Sequence, residues 1–107
     1  MKVEYTFRAR QDLRDIYEYI TFTLLAPDAA KNTTDKIMET ARSLESMPER
    51  TPLYKDEPWH SSGLRFVPVK NYIVFYTVNM QVDTVSIVRI MYGAMDIAKQ
   101  LEETKEW

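Results

Sequence analysis

A chain of 107 residues, 45% hydrophobic and 28% charged, has the length and composition of one folded domain with a modest core, and not of two domains. Its net charge of −2, from 14 basic and 16 acidic residues, excludes the broad basic surface that grips nucleic acid, so any cationic site must be local. The absence of cysteine excludes disulfides and thiolate metal sites, a lone His60 cannot build a histidine metal site, and no apolar run approaches the ~20 residues that span a bilayer.

Residues 1–107 are therefore expected to form a single domain with no cofactor, no metal and no membrane contact. The start, Met1-Lys2-Val3-Glu4-Tyr5, lacks the continuous apolar stretch of a signal peptide, which fits a cytoplasmic protein.

Lys2 to Phe7 alternates polar and apolar residues, the pattern of a half-buried strand with Val3, Tyr5 and Phe7 on its inner face. The period then lengthens. Leu13, Ile16, Tyr17, Ile20 and Leu24 form one stripe of an amphipathic helix predicted over 9–25, with Asp12, Asp15 and Glu18 read as its solvated face. Pro27 breaks the run and, with Asp28, suits the start of a second helix over 27–47 that buries Ala30, Ile37, Ala41 and Leu44. The two helices form an antiparallel hairpin.

Residues 48–62 carry Pro48, Pro52 and Pro58 and read as a connecting loop. Leu64 to Val69 is a strand, placed at an edge or a bulge by Pro68. Tyr72 to Val78 is apolar on both faces and belongs in the middle of the sheet. Thr84 to Met91 returns as a β-branched strand, with Val85, Ile87 and Arg89 on one face and Ser86, Val88 and Ile90 on the other. Asp96 suits the cap of a short helix carrying Ile97 and Leu101. The order β-α-α-β-β-β-α gives an α+β fold: an N-terminal strand, a helical hairpin on a small twisted antiparallel sheet, and a short C-terminal helix.

Three segments carry a family resemblance. Asp12-Leu13-Arg14-Asp15-Ile16-Tyr17-Glu18-Tyr19-Ile20 resembles the first-helix motif of RelE/ParE toxins. Gly63-Leu64-Arg65, followed by Val69-Lys70-Asn71-Tyr72-Ile73-Val74-Phe75-Tyr76, resembles the family's middle strands. Val88-Arg89-Ile90-Met91-Tyr92-Gly93 with Asp96 resembles its C-terminal signature. Their order and spacing match over about residues 3–101.

The resemblance implies the toxin of a bacterial type II toxin–antitoxin pair, a growth inhibitor of the plasmid-stabilisation kind, wrapped and silenced by a cognate antitoxin. It also implies one of two targets. RelE-like members cleave mRNA on the ribosome, whereas ParE-like members poison DNA gyrase and have no accepted nuclease site. The helix-one motif and strand spacing lean towards ParE. A relative that binds antitoxin but is inactive is the third alternative. One departure stands out: where many relatives carry arginine before the aspartate, this chain reads Gly93-Ala94-Met95-Asp96, and Met95 has neither charge nor donor.

The candidate site residues follow from these readings. Arg65, Arg89 and Tyr92 are catalytic only if the chain is RelE-like, where metal-independent RNA cleavage needs cations on the phosphate and a proton-transfer group. Each arginine is alternatively a packed side chain whose head pairs with a carboxylate, and Tyr92 is alternatively a residue at the core's edge. Lys70, Tyr19, Phe22, Trp59, Trp107 and the Met95 position are candidates for target or partner contact, aromatic residues being typical anchors of such surfaces. His60 reads as a solvent-facing loop residue.

Overall fold

The computed structural model describes residues 1–104, so the expectation placed on Trp107 lies outside the described residues. The chain runs β1 (Lys2–Tyr5), α1 (Phe7–Glu18), a π-helical turn (Tyr19–Thr23), α2 (Pro27–Ser43), β2 (Arg65–Val69), β3 (Tyr72–Asn79), β4 (Thr84–Tyr92) and α3 (Ile97–Glu102).

Thr6 decides where strand becomes helix. Its extended backbone and side-chain oxygen cap α1 by accepting the Ala9 N–H at 3.1 Å, while its hydroxyl donates to the Val88 carbonyl at 3.2 Å. The strand therefore ends at Tyr5, and Phe7, expected on the buried face, is a helical residue 66% exposed. Within α1 and the turn after it, Ala9, Asp12, Ile16 and Ile20 face inward and Leu13 is half-buried. Tyr17 and Leu24, assigned to the buried stripe, are instead exposed. For Leu24 the reason is the π-helical turn. Its N–H reaches the Tyr19 carbonyl at 3.1 Å, five residues back, and the wider turn shifts the 3.6-residue phase on which the stripe was drawn.

Pro27 opens α2 as expected, and Ala30, Ile37, Ala41 and Leu44 are buried. The helix ends four residues earlier than the pattern suggested because Arg50 folds back on it. The guanidinium donates to the Ser43 and Ser46 carbonyls at 3.0 and 2.9 Å and to Ser43 Oγ at 2.6 Å, satisfying groups that another turn of helix would have used.

The sheet order is β1-β4-β3-β2. The three consecutive strands are antiparallel as expected, and β1 adds to the edge of β4 in parallel, so the whole sheet is mixed. The most apolar strand, β3, is flanked on both sides, and Pro68 sits on the edge strand β2. A bulge lies in β4: Phe75 pairs with Arg89 and Tyr76 with Ile87, skipping Val88. It resets the alternation expected across 84–91. Val85, Ile87 and Ile90 join the core beneath the helices, while Val88 and Met91 join the opposite core.

Those two cores make three layers. Under the hairpin, Ile16, Ile20, Ile37 and Leu44 meet Val74, Tyr76, Val85 and Ile87. On the other face, Trp59, Leu64, Phe75, Val88, Met91 and Leu101 come together, covered by α3 and the 44–64 segment. That segment is less open than a proline-rich loop suggests. Leu53 bridges to Arg65, the Tyr54 ring meets Trp59, Phe66 and Phe75 edge-on at 5.7–6.1 Å, and Gly63 turns the chain at φ +83, a conformation that favours glycine.

Candidate functional site

A cleft of about 710 Å³ opens between α1 with its π-helical turn and the β3–β4 end of the sheet. Its wall is built at helical spacing: Arg8, Asp12, Asp15 and Tyr19 line one side of α1. Opposite stand the β2–β3 turn, with Lys70 and Asn71, the C-terminal part of β4, with Arg89 and Tyr92, and Met95 in the turn that follows it. Lys70 holds a left-handed φ of 54 in this tight turn. The turn is tied to the chain beyond β4 by the Gly93 N–H, which donates to the Asn71 carbonyl at 2.9 Å. A side chain at Gly93 would place its Cβ 3.4 Å from that carbonyl oxygen, at the near limit of ordinary contact.

At the floor, Asp12 and Arg89 are both buried and bind each other in two-pronged fashion. Arg89 Nε and Nη2 donate to the carboxylate at 2.7 and 3.1 Å. Asp12 also accepts the Ile90 N–H at 2.9 Å and lies 3.7 Å from Arg8 Nε. The remaining Arg89 nitrogen donates to Thr104 Oγ1 at 3.0 Å and to the Gln100 carbonyl at 3.3 Å. One guanidinium thus joins α1, β4 and the α3 region. This corrects the reading of Asp12 as part of a solvated face. Its spacing carried the signal, since Asp12 stands three residues after Ala9 and four before Ile16, on the apolar stripe itself.

The cleft mouth is aromatic. Tyr72 and Tyr92 meet edge-on with centroids 5.7 Å apart. Burial pushes the Tyr72 phenol above its usual pKa, and the neighbouring Tyr92 and Tyr19 phenols push it the same way. Three tyrosines therefore cluster beside Lys70 and Met95.

Of the residues proposed from sequence, the cleft gathers Tyr19, Lys70, Arg89, Tyr92 and Met95. It does not gather Arg65, whose Nη1 donates to the Glu49 and Thr51 carbonyls and whose Nη2 lies 3.5 Å from the Glu49 carboxylate. Arg65 and Arg89, both offered as cations for a phosphate, therefore do not share the cleft. Phe22 is 72% exposed on the π-helical turn, outside the cleft. Trp59, proposed as a surface anchor, is buried in the second core at 7% exposure because the 44–64 segment folds its ring inward. His60 is exposed in that segment, with Nδ1 3.0 Å from the Tyr54 carbonyl. Among the described residues no three of His, Cys, Asp and Glu group as metal ligands, and no helix is long and apolar enough to cross a membrane.

The model of one family, described as the ParE toxin of the type II toxin–antitoxin system parDE, matches residues 3–97. The chain belongs to the ParE toxin family. No curated relative matches it. Two solved structures share the fold of this ParE-family chain at 22% identity. One is the chromosomal ParDE toxin–antitoxin system from P. aeruginosa, with a TM-score of 0.70 over 86% of this chain and 95% of that one. The other is the toxin–antitoxin complex RelBE2 from Mycobacterium tuberculosis, with a TM-score of 0.61 over 88% and 92%. The family match ends at the first residue of α3, so the Arg89 bonds to Gln100 and Thr104 lie beyond the matched span of this ParE toxin.

Proposed function

We propose that this ParE-family toxin arrests growth by protein contact with DNA gyrase in the cytoplasm, through the mouth of the cleft, and that a cognate antitoxin silences it by covering that mouth. The observation that carries the reading is the occupation of Arg89. A nuclease needs cations free to meet a scissile phosphate as charge builds on it. Arg89 is 3% exposed, and every guanidinium nitrogen has a partner within the protein. Arg65 is spoken for by Glu49 and two carbonyls and stands outside the cleft. The groups that remain open to a partner, Tyr19, Lys70, Tyr92 and Met95, are exposed and mostly aromatic or apolar, the composition of a protein-binding hot spot. Interruption of the cleft by antitoxin follows from the same exposure, since an uncovered groove between sheet and hairpin is a surface that a helix or strand fills.

The test compares two reactions. The purified chain, alone or mixed with the product of the adjacent small reading frame, is added to gyrase acting on relaxed plasmid, and separately to a translating extract with mRNA ends mapped. Loss of supercoiling that the neighbour's product relieves, with mRNA intact, is expected. Cleaved mRNA with normal supercoiling would overturn the reading in favour of a ribosome-dependent endonuclease.

A further inference from the structure

Exposed apolar side chains gather at one end of the molecule. Among the described residues, six of the eleven large hydrophobic side chains left exposed lie there: Tyr19, Phe22, Leu24 and Leu25 at the tip of the helical hairpin, and Tyr92 and Met95 across the cleft. Tyr19 and Leu24 line the cleft from the near side, and Tyr92 and Met95 from the far side, so tip and mouth form one surface. A contiguous apolar patch marks a contact.

Leu25 adds a second observation. Its φ of 54 is left-handed, the conformation in which the end of a helix usually carries glycine. The chain is held there by the Ala26 N–H, which donates to the Ile20 carbonyl at 3.0 Å. The Leu25 side chain is 80% exposed, so packing within the chain does not offset the strain. Strain of this kind collects where a partner is met.

Charge divides the same surface in two. From Asp15 to Ala30 the chain carries Asp15, Glu18 and Asp28 and no cation. The far wall presents Lys70, exposed in its tight turn. Glu18, Asp28 and Lys70 form no ion pair among the described residues. An acidic apolar half beside a basic apolar half complements itself under a two-fold rotation, which is the requirement for an isologous pair. We infer that the hairpin tip and cleft mouth dock a second copy of this chain. Phe22 and Leu25 of each copy rest against Tyr92 and Met95 of the other, and Glu18 and Asp28 of each meet the other's Lys70. Each copy then covers the other's cleft mouth, whatever target that mouth serves.

The experiment follows the purified full chain by sedimentation velocity over a range of concentrations, at low and high salt. Concentration-dependent dimer that salt weakens is expected. Two charge variants are compared with it, Lys70→Glu and Glu18→Lys/Asp28→Lys. Each alone sets like charges face to face twice and should raise the dimer Kd about 10-fold. Mixed in equal amounts they should associate as well as the parent, because in the mixed pair both contacts again join opposite charges. Phe22→Ser should raise Kd about 100-fold, as loss of an aromatic anchor does, with the salt dependence intact. Leu25→Gly should also weaken the dimer, while its thermal melt matches or exceeds the parent's because glycine suits that backbone. It decides the matter even if a charge variant fails to fold. A parent that is monomeric at every concentration would overturn the inference and leave the surface to antitoxin or target. A dimer that Leu25→Gly leaves intact, or charge variants that stay apart when mixed, would overturn it by placing the contact on another face.

Discussion

Asp12 has no exposed oxygen to spare: Arg89, Ile90 and Arg8 surround it. Removing one partner of a buried ion pair leaves the other charge without compensation, at a cost of about 3–5 kcal/mol. Asp12→Ala should lower the unfolding free energy by that order in a denaturant titration, and a change below about 1 kcal/mol would contradict the clamp. Met95 is the opposite kind of position, 45% exposed at the cleft rim with its backbone held by the Tyr92 carbonyl at 3.0 Å. Met95→Arg should leave stability unchanged and place a cation beside Tyr92. A charge-assisted hydrogen bond contributes roughly 1.5–3 kcal/mol, which is a gain of about 10- to 150-fold in target affinity. Antitoxin-relievable growth arrest that is stronger in the variant is the expected readout. Equal arrest by both forms would remove Met95 from the account. Tyr76 predicts a pH limit. It is fully buried, donates to the Pro48 carbonyl at 2.7 Å, and burial raises its phenol above the ordinary 10.0. The fold thus favours the neutral phenol. That stabilisation is complete below pH 10.0 and is lost as pH climbs through the higher folded value. The alkaline limb of the stability curve should therefore steepen above pH 10.0 and weaken in Tyr76→Phe.

The elements were legible wherever one physical signal dominated. Alternation marked β1, two-sided hydrophobicity marked β3 as central, Pro27 started α2 and Asp96 capped α3, where it accepts the Lys99 N–H at 3.2 Å. What escaped were contacts between distant residues. The end of α2 depends on Arg50, the phase of β4 on a bulge opposite Phe75 and Tyr76, and the position of Leu24 on a π-helical turn. None of these leaves a local mark in the pattern of apolar positions. The inward face of α1 is nonetheless secure at Ile16, which packs beneath α2 and the sheet at 8% exposure. Ile16→Asp places an unpaired carboxylate there and should prevent folding. A soluble variant with an unchanged melting transition would refute the placement of α1.

At the level of the whole molecule, the site was half readable. Lys70, Arg89, Tyr92, Met95 and Tyr19 do meet, because the β2–β3 turn and the end of β4 lie side by side facing α1. Arg65 and Trp59 were misplaced because their partners, Glu49, Thr51 and the Tyr54 ring, come from a segment with no regular period. The C-terminal segment closes the structure on the other side, with Leu101 1% exposed and Thr104 bonded to Arg89. Truncation before Ile97 should expose Phe75, Val88 and Met91 and cost at least about 3 kcal/mol, from one buried leucine and the lost hydrogen bonds. Dye binding to exposed apolar surface and a denaturant titration would register both, and an unchanged titration would show the segment to be dispensable. The clamp at Asp12 also bears on how such a toxin changes over generations. A guanidinium that fastens a helix, a strand and the chain's end cannot be recruited to new chemistry without unfastening all three. The rim has lighter duties, a tight turn at Lys70 and the ring contact between Tyr72 and Tyr92. Met95, exposed and held through its backbone alone, can change without loosening that clamp, so the rim is able to drift while the architecture is inherited intact.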